Sequence, residues 1–234
     1  INRLLGRVAQ DMESQRRFVA DAAHELRSPL TALSLQAERL QQAPMSAAAQ
    51  ERLAVLREGI QRGRLLLEQL LSMARAQQPS QAPAAPASVQ GVLRHVLEDL
   101  MPLAHAKQID LGVVGAPDVR VAVSPLDLHT LVKNLVDNAI RYSPVGGRVD
   151  VSVQAQAGGV VLCVQDTGPG IAPAERERVF DAFYRTVGTG QSGSGLGLSI
   201  VRAIAPRIGA RVSLDWSDEA AQRGLKVRVT IPLA

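Results

Sequence analysis

Aromatic side chains make up only 3% of the 234 residues, and there is a single cysteine, Cys163. The first scarcity means that any core is built from Leu, Val, Ile and Ala, which suits helix pairs and Val-rich strands. The second excludes an internal disulfide. Cys163 lies in the apolar run Val160 to Val164, reads as a small buried hydrophobe and fits a reducing cytosol. No apolar run approaches the roughly 18 residues that a membrane span needs, and no charged segment followed by an apolar core marks a signal peptide. A basic block interleaved with aromatics is also missing. The 26 basic and 22 acidic residues are interspersed, so the net charge of +4 does not argue for nucleic acid.

What is present is a chain 46% hydrophobic, enough for two modest domains with a core each. Apolar positions recur at Phe18, Ala22, Leu26, Leu30, Leu33, Ala37 and Leu40, one stripe of a long helix. The run Gln41 to Ser46 holds Pro44 and a candidate N-cap, Ser46. A second stripe follows at Leu53, Leu56, Ile60, Gly63, Leu67, Leu70 and Ala74. Two such helices predict an antiparallel hairpin whose stripe one partner cannot bury, hence a homodimeric four-helix bundle. Gly63 either lets the helices approach closely or is a tolerated defect. Upstream, Ile1 opens into an amphipathic pattern at Leu4, Leu5 and Val8, as at the tail of a helix in a longer parent protein.

Gln77 to Ser88 reads QQPSQAPAAPAS, with three prolines and no charge, and is expected to hold no packed element. Beyond it helix and strand alternate. Ser88 caps a helix over Val89–Ala106; Ile109–Val114 and Val119–Val123 read as short strands; Ser124 and Pro125 open a helix to about Tyr142. Valines alternate with polar residues at 149, 151 and 153 and again from Val160 to Val164, a hairpin turning at Gly158 and Gly159. A helix from about Gly195 to Ile208 and strands near Ala210–Trp216 and Leu225–Ile231 complete an α/β sandwich, one sheet covered by helices on one face.

Four places carry candidate chemistry. Asn134, Asn138 and Arg141 share one helix face, opposite the apolar Leu131, Val132, Leu135, Val136 and Ala139. That face is either solvated or a site for a hard cation and phosphate, since amide oxygens suit Mg2+ and a guanidinium suits phosphate. Asp166-Thr167-Gly168-Pro169-Gly170-Ile171 follows an apolar strand. It is either a plain turn or a carboxylate that accepts from an exocyclic amine such as adenine's, with glycines allowing the ring close approach. Gly188, Gly190, Gly193, Gly195 and Gly197 precede the last long helix, as a flexible loop or as a cradle of backbone N–H groups for phosphate. The spacing is neither a Walker pattern nor a strand-linked GxGxxG with a downstream acid. Finally, His24 lies beside the first apolar stripe, accessible and next to Glu25, which can orient a neutral, nucleophilic imidazole. His95, His105 and His129 have no such context.

Together these segments resemble the histidine kinase family of two-component signalling. FVADAAHELRSPLTAL is similar to its phosphoacceptor motif, LVKNLVDNAIRYSP to its asparagine motif, DTGPGI to its adenine motif, VFDAFYR to its phenylalanine motif and GSGLGLSIV to its glycine-rich lid, in that order along the chain. The resemblance implies a helical-hairpin dimerisation domain followed by a Bergerat-type ATPase domain. Residues 1–12 would end a membrane-proximal signalling helix, 13–77 form the dimerisation and histidine phosphotransfer domain, 78–88 a hinge-like linker and 89–234 the ATP-binding catalytic domain. His24 would be phosphorylated, with Glu25 its general base; Asn138 and Asn134 would hold Mg2+ on the phosphates of ATP. Arg141 and Tyr142 would contact the nucleotide, Asp166 the adenine amine, and Gly168, Gly170 and Ile171 would shape the base pocket. Gly193, Ser194, Gly195, Leu196, Gly197 and Leu198 would close over the triphosphate, Phe180 and Phe183 would anchor that lid, and Arg185 would reach the γ-phosphate.

The implied partner is a response regulator, whose aspartate receives the phosphoryl group. The implied location is the cytoplasmic part of an inner-membrane protein anchored through a preceding segment. Four residues after the histidine the family commonly has Thr or Asn; Ser28 keeps the hydroxyl but not the methyl, so a weak regulator phosphatase activity is expected. The alternatives are a silent dimeric nucleotide-sensing module, which would need a missing key residue, and another Bergerat ATPase, against which His24, Glu25 and Pro29 on the hairpin argue.

Overall fold

The computed structural model describes residues 26, 28–76, 86–115, 118–156, 158–184 and 195–232. The chain divides into two compact units, Ile1–Gln78 and Pro79–Ala234.

In the first unit, helix α1 (residues 28–41) and helix α2 (Ala47–Ala76) form a hairpin. Ser46 starts α2 as its spacing suggested, its hydroxyl accepting from the Ala49 N–H at 3.3 Å. Leu30 packs on Leu67 and Leu71, while Ala37, Leu53 and Ile60 cluster with Met45. The apolar stripe read from the sequence thus splits in two. Leu30 and Ala37, seven residues apart, face α2; Leu26, Leu33 and Leu40, also seven apart, are each 53% exposed, and so is Leu56 on α2. A methyl group at Gly63 would lie 3.7 Å from Leu30 Cδ2, ordinary contact, so packing within the hairpin does not require glycine there. Leu70, Ala74, Phe18 and Ala22 lie outside the described side chains, and the expected segments 1–12 and 78–85 outside the described residues.

The second unit begins with strand β1 (Ala87–Ser88), paired antiparallel with β3 (Arg120–Val121). The expectation that nothing packs as far as Ser88 is therefore corrected: Ala87 is buried and Ser88 takes part in a two-residue ladder. With so short a partner, β3 shrinks from the expected Val119–Val123, and the Val123 N–H turns back to the Val121 carbonyl. Helix α3 (Val89–Ala106) carries the predicted Ser88 cap, whose side chain accepts from the Gly91 N–H at 2.9 Å. The main sheet comprises β2 (Asp110–Val114), β4 (Arg148–Gln156), β5 (Gly159–Asp166), β6 (Arg211–Asp218) and β7 (Arg223–Pro232) in the order β2-β4-β5-β7-β6. β2 runs parallel to β4 and the other pairs are antiparallel.

Alternation sets the buried face: Val149, Val151, Val153, Val160, Leu162, Val164, Val227, Val229 and Ile231 are all buried. Against it lies helix α4 (Pro125–Tyr142), flanked by α3 and by helix α5 (Gly197–Ile204). All five apolar positions assigned to the sheet side of α4 are buried. Both ends of α4 are held by charge. Arg207 beyond α5 bonds Asp127 in the first turn at 3.0 Å, and the Lys107 ammonium caps the Ile140 and Arg141 carbonyls in the last.

The expected helix Gly195–Ile208 is shorter than its apolar pattern. Gly195 sits at φ +72°, outside helical space, and Pro206 has no N–H to give the preceding turn. Ala205–Ile208 therefore closes as a 3₁₀ turn ending on the left-handed Gly209.

Candidate nucleotide site

Three elements converge at the C-terminal end of α4. Ser124 and Pro125 start this helix and the buried apolar face fixes its rotation, so Asn134, Asn138 and Arg141 fall on the side away from the sheet. The Asn134 amide nitrogen donates to the Thr130 carbonyl at 2.8 Å, leaving the amide oxygen as the outward donor atom for a ligand. Asn138 abuts the start of α5: a Cβ on Gly197 would lie 2.8 Å from both amide heteroatoms, so any larger residue there would displace this amide. Arg141 is held by its own helix, Nε to Asp137 Oδ2 at 2.7 Å.

The chain leaves α4 at Tyr142, whose carbonyl presses on Gly168; a Cβ there would meet that oxygen at 2.8 Å and Asp166 Oδ1 at 2.9 Å. Asp166 closes β5 and is only 5% exposed. Its Oδ1 accepts the Gly168 N–H at 2.8 Å and the Leu225 N–H of β7 at 3.0 Å, which fixes the carboxylate and leaves Oδ2 for a further donor. Burial pushes this carboxyl up to about 6, against the pull of the two N–H groups. The loop beyond it, Thr167 to Ile171, is pinned from outside. Gly168 accepts from the Gly224 N–H at 2.8 Å, and Gly170, at φ +74°, lies against the indole of Trp216.

The segment after Asp181 meets the end of the glycine-rich run. Phe183 donates its N–H to the Gly195 carbonyl at 3.0 Å, and a Cβ on Gly195 would collide with Phe183 and Tyr184 backbone. Leu196 is fully buried, so the run is anchored where α5 begins. The phenylalanines do this differently from expectation. Phe183 is 61% exposed and at φ 66°, so it anchors through its backbone and not its ring, whereas the Phe180 ring lies under Arg202 at 6.0 Å.

The structure thus brings Asn138 against Gly197, Tyr142 against Gly168, and Asp166 into the same loop as Gly168, Gly170 and Ile171. Ser28 is exposed on α1. His24, Glu25, Arg185, Gly193 and Ser194 lie outside the described residues. Sequence reasoning missed Trp216, Arg176, Gly224, Leu225 and Lys107. Gly224, just beyond the 219–222 turn, carried a local signal, and Arg176 reaches Ile171 only five residues away; Trp216, Leu225 and Lys107 act across long sequence separations.

Comparison with known proteins agrees with this arrangement. Residues 123–234 match the family model of "Histidine kinase-, DNA gyrase B-, and HSP90-like ATPase", and residues 14–79 that of "His Kinase A (phospho-acceptor) domain". The chain is 40% identical to the sensor protein QseC of Salmonella typhimurium over 233 residues, 98% of this chain and 50% of that protein. Its fold is similar to that of full-length ShkA in complex with AMPPNP, with a TM-score of 0.74, 29% identity and coverage of 93% of this chain and 46% of that one. A mycobacterial sensor histidine kinase, MprB, aligns at 34% identity and a TM-score of 0.58, covering 64% of this chain and 97% of that structure. The chain belongs to the sensor histidine kinases. It spans about half the length of the curated relatives it matches.

Proposed function

We propose that this chain is an ATP-dependent protein histidine kinase that phosphorylates its own His24 and passes the phosphoryl group to an aspartate of a response regulator. The observation that carries the reading is what stands around the C-terminal end of α4: the Asn138 amide against Gly197, the first residue of α5, and a buried carboxylate with one oxygen unused beside Gly168, where the Tyr142 carbonyl leaves no room for a side chain. The family match adds a phosphoacceptor region on the same chain.

Asp166 Oδ2 would accept the exocyclic amine of adenine, with Gly168, Gly170 and Ile171 as the walls of the base pocket. Arg141, restrained by Asp137, would meet phosphate, and Tyr142 would flank the nucleotide. Gly193 to Leu198 would cover the triphosphate with backbone N–H groups, and Arg185 would approach the γ-phosphate. The donor set offered by Asn134 and Asn138 is two neutral amide oxygens with no carboxylate. Among the described residues no cluster of three His, Cys, Asp or Glu could hold a metal. Such a set fits Mg2+ arriving with its charge already met by phosphate oxygens. The ion would neutralise charge on the β- and γ-phosphates.

In the chemical step a His24 imidazole nitrogen bonds the γ-phosphorus as the bond to the β,γ-bridging oxygen breaks; ADP leaves and Glu25 takes the imidazole proton. In the second, a carboxylate oxygen of the regulator attacks the same phosphorus as its bond to the imidazole nitrogen breaks, and that nitrogen recovers the proton from Glu25. Ser28, four residues beyond His24 in sequence, would support weak dephosphorylation of the regulator.

The exposed heptad leucines 26, 33, 40 and 56 support a homodimer in which a second hairpin covers them. The division at Gln78 supports assigning 13–77 to dimerisation and phosphotransfer and the second unit to catalysis, with the catalytic part starting at β1 and the linker therefore ending before Ala87; we assign 1–12 to the end of a signalling helix. Among the described residues no helix is long and apolar enough to cross a membrane. The placement we propose is the cytoplasmic part of an inner-membrane sensor.

The test is incorporation of label from γ-labelled ATP with Mg2+. Wild type should gain acid-labile, alkali-stable label; His24→Gln and Asn138→Ala should gain none. Label that survives His24→Gln would mean another acceptor, and nucleotide binding without label a sensing module.

A further inference from the structure

The loop Thr167–Ile171 holds two glycines and forms the floor of the proposed base pocket; its start is tied by the Thr167 hydroxyl, which accepts from the Arg148 N–H at 2.9 Å, and by Asp166, but Gly170 and Ile171 are braced from outside the loop. A loop with that freedom must be ordered either by the ligand, at a cost in affinity, or beforehand by its surroundings. Its surroundings are specific. The Trp216 ring, from β6, lies against Gly170 so closely that a Cβ would fall 2.2 Å from Cζ3 and 2.5 Å from Cε3. The Arg176 guanidinium stands over the same indole, 5.6 Å from its centroid. Arg176 also donates its Nε–H to the Ile171 carbonyl at 3.3 Å, and its Nη1 lies 3.6 Å from Asp215 on β6. One side chain thereby ties the end of the loop to the strand that carries the indole. The opposite end is tied by the Gly224 N–H on the Gly168 carbonyl.

We propose that Trp216 and Arg176 act together as a clamp that presets the Gly168–Ile171 loop for an adenine base, making them positioning residues for nucleotide affinity. The inference rests on the nucleotide reading above. It goes beyond it in assigning base recognition to two side chains outside every motif of the sequence. Both touch the loop at Gly170 and Ile171, and among the described residues neither is hydrogen-bonded or ion-paired to Asp166, Asn138 or Arg141. Their loss should therefore weaken capture of the base and leave the handling of phosphate unchanged.

The experiment measures the dissociation constant for ATP by calorimetry, and the dependence of the autophosphorylation rate on ATP, in the whole chain. Wild type is compared with Trp216→Ala, Trp216→Phe and Arg176→Met, with thermal melts as the check on folding. Trp216→Ala and Arg176→Met should each raise both the dissociation constant and KM about tenfold with kcat retained. Trp216→Phe, which keeps a ring on Gly170, should stay within about threefold of wild type. Should Trp216→Ala fail to fold, Arg176→Met carries the test, because Arg176 lies on a 3₁₀ turn outside the sheet. Folded variants that bind ATP as wild type does, or that lose kcat in step with kcat/KM, overturn the clamp while the kinase reading stands. Wild type that binds no ATP overturns the kinase reading itself.

Discussion

The hairpin and the α/β unit solve the problem of an apolar surface in opposite ways. In the α/β unit the alternating valines of β4 and β5 and the apolar face of α4 close on each other, and residues such as Leu128, Val149 and Leu162 are wholly buried. The hairpin buries one heptad set, Leu30 and Ala37 against Leu53, Ile60 and Leu67, and leaves an equal set in water. A two-helix unit has one seam and a four-helix bundle has two layers, so the second set calls for a second hairpin. One unit completes its core alone; the other leaves an apolar set that, in the proposed dimer, a copy of itself would cover.

That contrast can be broken by design. The largest effect is expected from Leu33→Glu on the open leucine set. A twofold contact loses two leucines and gains two buried charges, so dimer affinity should fall by about three decades or more. The α/β unit's melting and ATP binding should stay unchanged; sedimentation equilibrium and calorimetry on the same sample decide it. Next comes Asp166→Asn. It puts an amide where a carboxylate accepts two backbone N–H groups and the base, and it should weaken ATP about thirtyfold with the dimer intact.

A pH series gives a smaller effect on the same group. Its carboxyl titrates at about 6 in the folded unit, above the usual 3.8, so the ionised form is the one that burial disfavours. Stability from this group is therefore fullest below 3.8 and is lost as pH rises through about 6. Nucleotide binding runs the other way, because the base donates to a carboxylate. Between pH 7 and pH 5 the dissociation constant should rise about tenfold in wild type and stay flat in Asp166→Asn. The smallest effect is expected from Lys107→Met, which removes the ammonium from the last carbonyls of α4. Thermal unfolding of the α/β unit should register a loss of about 1 kcal/mol.

Local pattern made much of this legible. Serine caps at 46, 88 and 124 start their helices where spacing put them, and valine alternation gave the β4–β5 hairpin with its turn. Asn138 stood out because paired amides on a long helix face give up propensity without evident return, whereas Asp166 read equally as a plain turn until the order of the motifs was taken together. What stayed hidden depends on strand order. β7 lies between β5 and β6, so Leu225 reaches Asp166 from 59 residues away, and Trp216 on β6 reaches Gly170 from two strands beyond β5. No periodicity announces such contacts. The hairpin hid something subtler: heptad positions three and four apart look alike in sequence, and only the packed helices show which set is spent inside one chain.

The central claim is that ATP's γ-phosphoryl ends on one imidazole of the hairpin. The most direct measurement is mass-spectrometric mapping of the chain after incubation with ATP and Mg2+, under alkaline conditions that preserve phosphohistidine. The account predicts a single added phosphoryl group on the peptide containing His24. A phosphoryl group on any other residue, or an unmodified chain under conditions where ATP is bound, would contradict it.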